Sequence, residues 1–189
     1  MKRFALALVL SSFAAAAFAA AETYVIDPNH TAPRFEYSHL GYSNQVHGFD
    51  KTSGSIVLDR AAKTASVDVS IDATSVNTGV VPLNKDLQGE AYFNTAQFPT
   101  ITFKSTAVSF EGDKPVAVEG NLTIKGVTKP VTLTLTHFQA APHPTLKRNT
   151  IGANAVTKIK RSEFNMGKLV PFVSDEVTLT ISVEAIQQP

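Results

Sequence analysis

The chain of 189 residues is 43% hydrophobic and 17% charged, with no Cys and no Trp. That length suits one domain, the composition excludes a wholly disordered chain, and the missing Cys excludes disulfides, thiolate metal sites, a cysteine nucleophile and a lipid-modified N-terminal Cys. The formal charge is +1 and becomes −1 without Lys2 and Arg3, so the domain carries no global field to gather nucleic acid.

Residues 1–21 open with those two cations, continue through an apolar stretch and end in small residues. This is the order of a secretory signal peptide, with cleavage expected after Ala19 or Ala21. The stretch is short and Ala-rich for a membrane span of roughly 20 residues. A secreted, exported chain is expected, in the periplasm if the cell is Gram-negative, with residues 22–189 as one domain.

From there the dominant signal has period two. Ile56 and Leu58 lead, followed by Val67, Val69 and Ile71 alternating with Asp68, Ser70 and Asp72. Ile101 and Phe103, then Leu122 and Ile124, repeat the pattern. Val131, Leu133 and Leu135 alternate with threonines, and Val177, Leu179, Ile181 and Val183 alternate with polar residues. Each reads as a strand with one apolar and one wet face, and the outward Thr favours strands. Turns fall at Gly112-Asp113, around Lys125-Gly126 and around Pro142-His143-Pro144. One stretch breaks the alternation, and Pro82 with Gly89 predicts a short helix near 82–88. About eight strands without long helices predict an all-β antiparallel barrel or sandwich.

The inward faces add many rings, among them Phe35, Tyr37, Phe49, Phe93, Phe98, Phe103, Phe164 and Phe172. A barrel of eight strands is either filled by such side chains or holds one ligand. Phase carries three apolar faces onto polar residues: Phe35 and Tyr37 onto His39, Leu133 and Leu135 onto His137, and Ile159 onto Arg161. A buried, unpaired Arg161 is costly. It therefore meets Glu163 or Asp175, lies at a mouth, or meets a ligand anion. No hydrolase elbow, phosphate loop, zinc-protease motif or calcium loop is present. None of His30, His39, His47, His137 and His143 has metal-ligand spacing, and no carboxylate pair is set for acid–base work.

Several stretches together resemble the YceI-like family. They are Asp27-Pro28-Asn29-His30; Phe35, Tyr37, His39 and Gly41; Tyr92-Phe93-Asn94 through Phe98-Pro99-Thr100-Ile101-Thr102-Phe103; Gly120 through Val131; Lys160-Arg161-Ser162-Glu163-Phe164; and Val173-Ser174-Asp175-Glu176-Val177. The resemblance spans about residues 23–186. It implies an extended eight-stranded, lipocalin-like antiparallel barrel whose apolar lumen binds a polyisoprenoid or related amphiphilic lipid. Two departures fall in segments that shape the entrance: Lys85-Asp86-Leu87 lacks a usual His, and Glu163 and Asn165 replace the family's Asp and Gly.

The resulting expectation is a lipid-binding barrel, not an enzyme. Lumen candidates are Phe35, Tyr37, Phe49, Leu87, Phe93, Phe98, Phe103, Leu133, Leu135 and Phe164. Head-group candidates are Arg161 and His39. No cofactor or metal is expected beyond a bound lipid such as a polyprenyl phosphate or isoprenoid quinone. The expected partner is that amphiphilic lipid, with a homodimer left open, no nucleic acid and no stable membrane insertion. Two other classes stay open. One is a lumen enzyme acting on a lipid or quinone through His39, His137 or Tyr37. The other is a ligand-free stress or interaction protein with a filled core. A lipocalin proper is disfavoured because no Trp supplies that family's Gly-x-Trp signature.

Overall fold

The computed structural model describes residues 21–189; the expected signal peptide lies outside these residues apart from Ala21. In chain order the strands are β1 (Glu22–Ile26), β2 (Ala32–His39), β3 (Ser43–Phe49), β4 (Thr52–Asp59), β5 (Thr64–Asp72) and β6 (Val76–Asn77), then β7 (Thr100–Glu111), β8 (Lys114–Ile124), β9 (Val127–Pro142), β10 (Asn149–Lys160) and β11 (Glu176–Gln187). One helix, α1 (Val81–Gln88), follows β6. Pro82 stands in its first turn, where a missing N–H costs no helical bond, and the helix ends at Gly89, whose N–H donates to Asp86 O.

These segments make one closed, antiparallel barrel of eight strands. β1 and β2 run end to end along β11, with Ile26 opposite Ala185 and Ala32 opposite Ser182. β3 and β4 follow in the same way, as do β5 and β6, so three barrel strands are each broken once. The ladder passes through β4, β5, β7, β8, β9, β10 and β11, and β1 bonds both β4 and β11 to close the ring. Closure leaves no strand with a wholly free edge; only β9 residues 127–133 and β10 residues 157–160 part from one another at the upper end. No helix among the described residues is long and apolar enough to cross a membrane.

The expected alternation holds around the wall. Val67, Val69, Ile71, Leu122, Leu133 and Leu179 all face the interior, while Thr132 and Thr134 are exposed. Lys125 and Gly126 both have positive φ and make the two-residue β8–β9 turn, the backbone twist that tight hairpins select. Pro130 lies in the stretch of β9 that β10 does not reach, so its missing N–H costs no ladder bond.

Bulges alter the phase in three strands, on β8 at Val116, which brings Pro115 inward, and on β9 and β7. On β9 the register shifts so that Asn154 faces His137 and Ala155 faces Leu135, which leaves Thr136 unpaired. That extra residue turns His137 outward and brings Phe138 into the lumen, so the expected inward His137 is corrected. On β7 a bulge at Thr106 switches the inward phase to Val108.

The two barrel ends differ. The lower end, with turns 60–63, 112–113 and 143–148, is plugged by fully or nearly buried Tyr24, Leu58, Ile151 and Ala185. The upper end gathers the β2–β3 turn, α1, the β8–β9 turn and the loop 165–175.

Gly54 shows how tightly the wall is drawn. Its φ is +146°, and a Cβ there would stand 2.1 Å from the Asp68 carbonyl oxygen. Gly54→Ala is therefore expected to cost about 2 kcal/mol or more in urea denaturation. An unchanged midpoint would contradict this account of the β4–β5 contact.

Candidate functional site: an apolar lumen with a polar upper end

Inside the barrel runs a cavity of about 640 Å³, within the usual range for small-molecule sites. Its wall is apolar almost throughout, from Ile26, Leu58 and Ile151 below to Leu83, Leu87 and Met166 above. His39 and Leu169 line it and are also exposed, so the lumen reaches solvent at the upper end, beside the joined β2–β3 turn and loop 165–175.

Of the expected lumen residues, Phe35, Tyr37, Phe49, Leu87, Phe93, Phe103, Leu133 and Leu135 line this cavity. Three of them form an aromatic cluster: Phe35 and Phe49 lie 5.7 Å apart between ring centres, Phe49 and Phe93 5.3 Å, and Phe35 and Phe93 6.0 Å. Such pairs are each worth about 0.5–1.5 kcal/mol beyond their buried area. Phe93 reaches the cluster because the segment after α1 folds back on the helix, with Phe93 N–H donating to Leu87 O and Thr95 N–H to Gln88 O. Phe103 lies across Gly120, where a Cβ would meet the ring Cζ at 2.5 Å.

Phe98 and Phe164 do not line the lumen. The turn after Asn94, whose φ is +48°, sends Phe98 over Gly126 at the β8–β9 turn. Phe164 is 1% exposed in the core beneath the turn that follows β10. Phe172, expected inside, is 70% exposed. Leu83, Met166, Leu169 and Val173 line the lumen without having been singled out. They lie in a helix and an irregular loop, where no period-two signal exists to find them.

Arg161 lines the upper lumen and is 7% exposed. Neither Glu163 nor Asp175 pairs with it. Its Nε donates to Ser174 O at 2.8 Å, Nη1 to Lys168 O at 2.9 Å and to Met166 O, and Nη2 to Val173 O at 2.8 Å. The guanidinium has five N–H donors, so one on Nη2 is left. Asp175 instead accepts from the Ser162 N–H at 2.8 Å and hydroxyl at 2.7 Å. Among the described residues no carboxylate lies within ion-pair distance of Arg161. Burial pulls its pKa below the ordinary value, opposed by Tyr92, Asp175 and Tyr37. The side chain therefore clamps loop 165–175 and sets a positive charge, with Asp175 nearby but not in direct contact, beside an apolar cavity.

Tyr37 and Tyr92 also line this end. Burial, then Tyr92, raises the Tyr37 pKa, so its hydroxyl keeps its proton. Its oxygen shares a hydrogen bond with His47 Nε2 at 3.2 Å. His47 is 7% exposed, its Nδ1 has no partner, and burial lowers its pKa. It is thus a neutral imidazole behind the lumen wall.

Two outcomes are expected. Arg161→Met should cost at least about 2 kcal/mol in denaturant, since it strips several loop carbonyls of their donor; wild-type stability would show that the clamp is idle. His47 binds a proton more readily unfolded than folded. Its contribution is complete above the ordinary His pKa of about 6.5 and is lost as pH falls below it. Melting temperature should therefore drop less between about pH 7 and about pH 5.5 in His47→Gln than in wild type, and parallel curves would count against the assignment.

A family profile described as the YceI-like domain matches residues 24–185. Protein YceI of Escherichia coli O157:H7 is 37% identical over 192 residues, covering all of both chains. Among solved structures, Burkholderia cenocepacia BcnA superposes with a TM-score of 0.71 at 27% identity, covering 84% of this chain and 98% of that one. A polyisoprenoid binding domain from Saccharophagus degradans, implicated in plant cell wall breakdown, gives a TM-score of 0.63 at 19% identity, covering 87% and 98%.

Proposed function

The chain belongs to the YceI-like family, and we propose that it binds an isoprenoid or related amphiphilic lipid in the barrel lumen, to carry or store it. The observation that carries this reading is a cavity of about 640 Å³, apolar from a plugged lower end to an opening at the upper end. Each methylene moved from water into such a lumen gains about 0.8 kcal/mol. A chain that is insoluble alone thereby gains an aqueous route. The fold shared with a polyisoprenoid binding domain supports the same ligand class.

The polar groups give the ligand a direction. The tail lies among Phe103, Leu133 and Leu135, and the head lies at the upper end near Arg161, with His39 at the rim. The remaining Arg161 donor and the Tyr37 and Tyr92 hydroxyls suit a head group rich in acceptors, such as a phosphate or a quinone carbonyl. Negative charge on that head would offset the buried Arg161 cation. The order of residues 1–21 supports export to the periplasm, where lipid must cross water between membranes.

The chemistry favours a binding protein over a lumen enzyme. His137 faces outward, His39 sits at the exposed mouth, and among the described residues neither they nor Tyr37 is joined to a carboxylate that would complete an acid–base pair. A ligand-free, filled-core protein is disfavoured by the cavity itself.

Ala155 lines the lumen on β10. Ala155→Trp should lower isoprenoid uptake about tenfold while the melting temperature stays close to wild type. Undiminished uptake would place the chain outside the lumen.

A further inference from the structure

Large apolar side chains left in water gather at one end. Tyr42 (88% exposed), Phe172 (70%), Leu40, Leu169 and Val170 lie on the β2–β3 turn and on the loop after β10. The two segments are stitched together. Leu40 N–H donates to Phe172 O at 2.9 Å, Ser38 N–H donates to Ser174 Oγ at 3.0 Å, and His39 bridges Val173. They form one rim, whereas single exposed apolar residues scattered over a surface need no explanation. The rim continues into the lumen, because His39, Leu169 and Val173 line the cavity.

Charge is distributed to match. Residues 39–43 and 165–174 contain no Asp or Glu and one cation, Lys168. Lys168 Nζ stands 5.6 Å over the Tyr92 ring, which holds its charge at the rim. The acids that follow are engaged, Asp175 by Ser162 and Glu176 by Lys158. Away from this rim the charge returns: α1 and the residues after it carry Lys85, Asp86 and Glu90, and at the lower end the β4–β5 and β7–β8 turns carry Asp59, Arg60, Lys63, Glu111, Asp113 and Lys114. That end suits water.

We propose that the upper rim docks on the surface of a lipid bilayer, with Tyr42 and Phe172 at headgroup depth and Lys168 against lipid phosphates. This inference rests on the lumen being a lipid site, and it gives that site its donor and acceptor. Aromatic residues favour the membrane interface, and interfacial binding grows with buried apolar area and with attraction of cations to anionic lipid. The rim surrounds the opening, so a second copy seated there would seal the lumen. A bilayer leaves an amphiphile free to pass between membrane and lumen without crossing water.

The test is flotation of the exported chain with vesicles of phosphatidylethanolamine and phosphatidylglycerol in equal parts. Uptake of an added isoprenoid is measured on the same samples. Wild type should float, as should Leu146→Asp, which alters an exposed apolar residue at the lower end. The double variant Tyr42→Asp, Phe172→Asp should lose vesicle binding at least about tenfold while keeping its melting temperature and its uptake of detergent-solubilised isoprenoid. Equal flotation of wild type and the double variant would overturn the docking proposal, as would a wild type that takes up isoprenoid but never floats. Conversion of a wild-type dimer to a monomer by the double variant, with vesicle binding unchanged, would assign the rim to a second copy and overturn it too. Rim-dependent flotation without isoprenoid uptake would support docking and count against the lumen reading alone.

Discussion

Closure of the ladder through β1, bonded to β4 on one side and β11 on the other, is the constraint on which the rest depends. A closed antiparallel wall satisfies its own backbone and commits every second side chain to the interior. Here those side chains are Val, Leu, Ile and Phe, which line the eight-stranded interior without filling it. Where they meet at the lower end, around Tyr24 and Ile151, the barrel is plugged. Elsewhere a continuous apolar cavity remains. The lumen is thus a consequence of closure and girth, with no dedicated pocket-forming insertion required.

The upper end is organised by a different interaction. Arg161 follows directly from β10, so its side chain reaches the irregular loop that closes over the barrel. Its bonds to the carbonyls of Met166, Lys168, Val173 and Ser174 fix from the lumen side a segment that Ser38 and Leu40 hold from β2 and its turn. One residue thereby shapes the opening, positions Leu169 and Val173 along it, and leaves positive charge where a lipid head would rest. Lys125 adds a second tie, donating to the carbonyls of Glu90 and Asn165 at 2.7 Å each. Structural clamp and head-group neighbour are compatible roles because four donors serve the loop and one remains.

The wall was legible in the sequence because period-two alternation is a local signal. Val67 to Ile71, Val131 to Leu135 and Val177 to Val183 point where their phase says. The helix was legible from Pro82 and Gly89. His137 was misread because a single extra residue, Thr136, inverts the phase, and a bulge has no marker in a run of alternating Thr. Phe98 and Phe164 were misread because they lie in turns, where neighbouring contacts set direction in place of periodicity. The partners of Arg161 were hidden for another reason. They are backbone carbonyls, which every residue carries, so no residue type announces them. The loop residues Met166, Leu169 and Val173 needed the fold to bring them over the opening.

The central claim is that the lumen holds the tail of an isoprenoid lipid. Native mass spectrometry of the protein, purified without detergent, tests it most directly when followed by organic extraction of whatever is released. The account predicts one isoprenoid per barrel, with a phosphate or quinone head group suited to the Arg161 end. A clean apo mass that stays unchanged after incubation with isoprenoids would contradict it.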